Sequence, residues 1–210
     1  TFIARQDFDF LSRHPMVVDS VDGNFRFQPK LLRFGEKTDL TGQNAPDFLI
    51  VCTKVLAKSE ILPAVSPYLA DKTQIVLIQN GVNVETNWHE VFPNRSIISG
   101  LAFICVMRTQ AGRVLHTDYG RLVLGLWPKG TFQPANLLVR QFQKAGMQCE
   151  TTQDVTLARW QKAVWNAAFN PLSVLSGGLT TNALLDDPVY RAEIEAIMQE
   201  VCAVATANGN

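Results

Sequence analysis

Five polar side chains stand out by type and spacing. Lys54 follows the apolar run Phe48-Leu49-Ile50-Val51-Cys52-Thr53, and Asn80 opens an Asn-Gly pair after Ile75-Val76-Leu77-Ile78-Gln79. Lys162, Asn166 and Asn170 recur every four residues, so on a helix each step turns only about 40° and all three share one face. Bracketed by Trp160, Trp165 and Phe169, an ammonium and two amides in line can grip a carboxylate or a hydroxyl. The simpler alternatives are that Lys54 and Asn80 merely begin loops and that the helix carries a solvated stripe.

These residues need elements to hold them, and the chain supplies a pattern. Phe48 to Cys52, Ile75 to Ile78 and Ile97 to Met107 are apolar runs bounded by turn residues, which reads as strands buried on both faces. Val55 to Leu69 fills the first gap with helical spacing, and Asn83 to Val91 makes a short helix in the second. Strand, helix, strand in alternation predicts a parallel α/β sheet. Ligands collect beyond the carboxyl ends of such strands, where Lys54 and Asn80 both fall.

Further on, Arg113 to Gly125 alternates on either side of Tyr119-Gly120, predicting a hairpin with its turn there. A helix over Pro134 to Ala145, closed by Gly146, precedes a short strand over Met147 to Glu150. From Asp154 onward only helix is expected, with a local break at Pro171, a terminator at Ser176-Gly177-Gly178 and a new helix from Asp187-Pro188 to Ala207. The domain boundary falls near residue 150.

Composition excludes several classes of function. The 210 residues carry 19 basic and 19 acidic side chains and are 47% hydrophobic. The balance supplies no field for nucleic acid or an anionic membrane. A small-molecule partner is expected instead. Four scattered cysteines suit a reduced, cytoplasmic protein, and neither a signal peptide nor a membrane span is read. His14, His89 and His116 are isolated, which argues against a metal site. Phe2-Ile3-Ala4 reads as the tail of a buried strand, and both ends of the chain look cut.

Taken together, Arg5 after the opening strand, VCTK ending at Lys54, QNGVNVE over Gln79 to Glu85, GRVLH over Gly112 to His116 and RWQKAVWNAAFNPLSVL over Arg159 to Leu175 resemble the ketopantoate reductase family. The resemblance covers nearly the whole chain, and W-x-K-x-x-x-N-x-x-x-N-P is its most specific part. It implies an α/β fold in two parts: an NADP-binding Rossmann-like domain over residues 1–150 and the first helices of an all-α substrate and dimerisation domain over residues 151–210. It implies NADPH-dependent reduction of 2-dehydropantoate to pantoate, in the pathway to pantothenate and coenzyme A. Lys162 would be the catalytic acid, protonating the alkoxide left when hydride reaches a ketone carbon. Asn166, Asn170 and Asn80 would contact substrate, while Lys54 and Asn80 line the cofactor cleft and Arg5 meets the 2′-phosphate. The expected partner is a 2-oxo acid, and a homodimer stays open. The family's first strand and G-x-G-x-x-G loop are not in the sequence, nor are its later C-terminal helices.

Two rival readings remain. One is the β-hydroxyacid dehydrogenase group, which also carries a Lys-x-x-x-Asn helix but precedes the lysine with glycines rather than Arg159-Trp160-Gln161. The other is a non-catalytic NADPH-binding module on the same fold.

Overall fold

Alternating apolar residues make the central strands two-sided. Ile75, Leu77 and Ile97 face one layer of helices, while Val76 and Ile98 face the other. The computed structural model describes residues 1–36, 45–130 and 133–210. Within it β5 (Phe48–Val51), β6 (Gln74–Ile78) and the start of β7 (Ile97–Gln110) pair in parallel. They are linked by α2 (Lys58–Val65), a 3₁₀ turn (Ser66–Tyr68) and α3 (Val84–Val91). On one face Leu49, Val51, Ile75, Leu77 and Ile97 pack under Ile61, Tyr68 and Trp88. On the other, Val76, Ile98 and Leu124 pack under Ala135, Leu138 and Val139 of α4 (Gln133–Lys144).

The sheet is mostly parallel but not wholly so. β7 turns back into β8 (Arg113–Trp127) as a long antiparallel hairpin, and β9 (Cys149–Thr151) adds in parallel to β8. The turn of this hairpin lies at Ala111-Gly112, between Gln110 and Arg113, rather than at Tyr119-Gly120. Tyr119 and Gly120 instead form a bulge inside β8. Residues Tyr119 and Arg121 face the consecutive Ile104 and Phe103, leaving Gly120 as the extra residue at φ 134°. Glycine accepts that dihedral without strain, so one dipeptide serves a turn or a bulge equally well. Before the hairpin, β2 (Met16–Ser20) pairs in parallel with its tip and in antiparallel with β3 (Phe25–Phe27). β1 (Phe2–Ala4) pairs with β4 (Leu31–Arg33) in a separate two-stranded sheet. Between β1 and β2 lies a single helical turn, α1 (Phe8–Leu11). Phe2 is 43% exposed, so β1 is not the deeply buried strand its apolar residues suggest.

Beyond the sheet, α5 (Val155–Leu175), α6 (Thr181–Asp186) and α7 (Pro188–Ala207) pack on one another through Ala168, Phe169, Leu172, Leu184 and Ile194. Asp154 caps α5 by accepting from Leu157 N at 3.0 Å, and this bond, with Lys129 beside it, holds the Asp154 carboxyl below its ordinary range. α5 continues through Pro171 without the expected break. Phe169 and Leu172 bury themselves on either side of the proline, which offsets the roughly 3 kcal/mol that an interior proline costs. At Gly125 the backbone of β8 comes so near α5 that a Cβ would stand 2.7 Å from Val155 Cβ. That contact, with Leu101, Val123 and Ala158, sets the helix against the sheet.

Candidate active site

β6 ends at Ile78, and the five residues from Gln79 to Asn83 turn into α3. Gly81 supplies φ 117° for this turn, a value rarely open to a side-chain-bearing residue. Gln79 is buried, and its Nε2 donates to the carbonyls of Thr53 at 2.8 Å and Lys54 at 3.1 Å, tying the loops after β5 and β6 together. Asn80 is left facing outward beyond the carboxyl ends of these strands.

α5 approaches the same edge from the second group of helices. Lys162 Nζ donates to Asn80 Oδ1 at 3.0 Å and to the carbonyl of Ala102 on β7 at 2.5 Å, and lies 5.1 Å from the centre of the Phe103 ring. Asn166 and Asn170 continue along the helix and line the same cleft of about 430 Å³, with Gln79 and Leu101 on the opposite wall. Along this wall Lys162 and Asn166 are partly buried and Asn170 is exposed. Among the described residues no carboxylate lies within salt-bridge distance of Lys162. Burial, and next the positive charge of Arg159, push the Lys162 pKa below the ordinary lysine value.

One turn earlier on α5 sits a group absent from the candidate residues above. Arg159 is 3% exposed and pairs through Nε with Glu85 Oε1 at 2.5 Å, Glu85 itself being 1% exposed. Ser99 Oγ lies 3.0 Å from the same Nε and donates to Glu85. Arg159 Nη1 donates to the carbonyls of Gln79 at 2.7 Å and Gly81 at 3.0 Å, on either side of Asn80. The signal in the sequence is a charge four residues after the buried Val155, on the apolar side of an amphipathic helix. A charge there needs a buried partner. QNGVNVE contains that partner.

The remaining candidates lie elsewhere. Lys54 is exposed and is not among the residues lining this cleft, although its carbonyl is bound by Gln79. Arg5 is exposed at the carboxyl end of β1, its guanidinium 5.9 Å from the centre of the Phe34 ring. The structure thus brings Lys162, Asn80, Asn166 and Asn170 together and leaves Arg5 and Lys54 outside the cleft lining.

Comparison with known proteins identifies the family. The family described as Ketopantoate reductase PanE/ApbA matches residues 1–129, and its C-terminal counterpart matches residues 154–210. The 2-dehydropantoate 2-reductase of Nostoc sp. is 32% identical over 99% of this chain and 65% of its own length. Two crystal structures titled as that enzyme, from Methylococcus capsulatus and Geobacter metallireducens, superpose with TM-scores of 0.84 and 0.88 at 40% and 34% identity. They are covered over 66% and 67% of their chains, against 99% of this one in both cases. The chain thus spans about two thirds of the length of these relatives. A D-mandelate dehydrogenase determined with NADH shares the fold, with a TM-score of 0.79 at 16% identity. With a sequence match on both sides of residue 150 and the lysine-asparagine cleft between them, the chain belongs to the ketopantoate reductase family.

Proposed function

We propose that the protein is a cytoplasmic NADPH-dependent reductase that converts 2-dehydropantoate to pantoate, the step that feeds pantothenate and coenzyme A synthesis. The observation that carries this reading is the Lys162 ammonium, held in the cleft by two neutral oxygens, Asn80 Oδ1 and Ala102 O, and not neutralised by a carboxylate among the described residues. Such an ammonium keeps its attraction for an anionic 2-oxo acid and for charge developing on the carbonyl oxygen. Its lowered proton affinity eases release of the proton to that oxygen. Asn166 and Asn170 offer amides along the same wall to hold the substrate's carboxylate and hydroxyl.

The residues present also fit a nicotinamide cofactor. Gln79 Oε1 is buried at the cleft wall and has no hydrogen-bond partner among the described residues, so it is an acceptor suited to a carboxamide or ribose donor. Lys54, on the loop that Gln79 ties down, and Arg5, beyond β1, would add positive charge for the phosphates, Arg5 meeting the 2′-phosphate. When bound, NADPH supplies the hydride. This chain's own residues orient the ketone, receive its oxygen and return a proton from Lys162 Nζ.

Turnover of NADPH with 2-dehydropantoate, measured beside other 2-oxo acids, tests the reading. Lys162→Ala is expected to lower kcat by roughly 10²–10⁴ while NADPH affinity, followed by fluorescence titration, changes little. Parental turnover in Lys162→Ala would remove the lysine from its role.

A further inference from the structure

Asn80 and Lys162 meet across 82 residues of sequence, and Asn80 is exposed at the head of a tight turn. Its position depends on whatever holds that turn. Arg159 does so from inside the protein. Its guanidinium uses three directions at once: Nε toward Glu85 and Ser99, Nη1 toward the carbonyls of Gln79 and Gly81, and Nη2 toward Gly100 O at 3.5 Å. We propose that Arg159 is a positioning residue for the reductase site: by gripping the carbonyls on both sides of Asn80 and anchoring itself on Glu85 and Ser99, it aims the Asn80 amide at the Lys162 ammonium one helical turn away.

This inference rests on the reductase reading above. Three observations give it its force. First, Arg159 and Lys162 ride on the same helix, so a shift of the Gln79 to Gly81 turn relative to α5 changes the Asn80 to Lys162 distance directly. Second, the planar fork spreads its donors over Glu85, Ser99 and the carbonyls of Gln79, Gly81 and Gly100 together, a reach that the single ammonium nitrogen of a lysine cannot match. Third, a buried ion pair is a weak source of stability, and apolar residues of like volume commonly do as well. Here the pair sits where α5 meets the sheet and ends on the two peptide groups that flank a site residue, so what it uniquely supplies is direction.

The test is Arg159→Lys, which keeps the charge on Glu85 and gives up one of the two carbonyls. In NADPH-driven reduction of 2-dehydropantoate, kcat should fall roughly 10- to 100-fold, as expected when a reacting group is misplaced by about an ångström. KM and NADPH affinity should change by less than about threefold, and thermal unfolding should stay cooperative. The discriminating measurement is a double-mutant cycle. In an Asn80→Ala background Arg159→Lys should cost less than about threefold, because no amide remains to be aimed. A merely structural arginine would cost as much in either background.

Should Arg159→Lys fail to fold, Ser99→Ala, which removes one anchor and leaves the ion pair, decides by the same cycle. Lys162→Ala is assayed in parallel. If the parent or Lys162→Ala results defeat the reductase reading, the inference falls with it. If Lys162→Ala abolishes turnover while folded Arg159→Lys keeps the parental rate, or loses as much without Asn80, the positioning role is overturned and the reading stands.

Discussion

Two cations sit one turn apart on the same face of α5, and their surroundings differ in kind. Arg159 lies at the inner end of the seam, buried, paired with Glu85 and bonded to three backbone carbonyls. Lys162 lies at the outer end, half-buried, and among the described residues its hydrogen bonds go to the neutral oxygens of Asn80 and Ala102. Burial lowers the proton affinity of both, but Glu85 restores that of Arg159 in part, whereas Arg159 lowers that of Lys162 further. A cation that holds peptide groups in place is compensated within the fold. One left uncompensated in a cleft stays available to an incoming anion, and the inner cation tunes the outer one.

The sharpest way to break this comparison is to remove the inner compensation. Glu85→Ala leaves the Arg159 charge buried and unpaired and should destabilise the protein by about 3–5 kcal/mol in chemical denaturation, against near-parental stability for Lys162→Ala. Equal stability losses would erase the distinction between the two ends of the seam. Arg5→Ala, on a loop outside the cleft, should weaken NADPH binding by roughly 10- to 100-fold while leaving NADH nearly untouched, as removal of one charge-assisted phosphate contact predicts. Losses of similar size for both cofactors would make Arg5 a support of the β1 edge instead. Asn166→Ala and Asn170→Ala should each raise KM by roughly 3- to 10-fold with kcat held, since amides that grip substrate equally in ground and transition states act on binding. Unchanged kinetics in both would return this stretch of α5 to a packing role.

The smallest effect concerns pH. Proton donation needs Lys162 charged, so kcat should decline on an alkaline limb that begins below the ordinary lysine value of 10.5 and is missing from Lys162→Ala. The sign for stability is opposite. Between the lowered folded-state pKa and 10.5 the unfolded chain binds more protons, so the contribution of Lys162 to stability rises with pH across that window. Lys162→Met should flatten both dependences. A limb that persists in Lys162→Ala would assign the titration to another group.

Much of the architecture was legible in the sequence because it is written locally. Runs such as Ile75 to Ile78 declare two-sided strands by their continuous apolarity, and Asp154 followed by Val155 and Leu157 declares a capped helix start. The common face of Lys162, Asn166 and Asn170 follows from the period of the helix alone. β3 has only three residues and β2 mixes Met16, Val17 and Val18 with Asp19 and Ser20, so neither shows a continuous apolar run; β2 gains its place by pairing with the hairpin tip and β3 by pairing with β2. Tyr119-Gly120 carries the signature of a turn, yet the register between β7 and β8 makes it a bulge.

The site divides along the same line. Residue type and helical spacing by themselves determined that Lys162 and two amides would share one face of a helix. Only the tertiary structure decided that Asn80 would meet that lysine, and that Arg159 would close on Glu85 and Ser99, 74 and 60 residues away. The physical reason is range: dihedral preference and periodicity act over a few residues, whereas partnering a buried charge is a demand on the whole fold. The chain meets it where α5 docks on the carboxyl ends of the parallel strands.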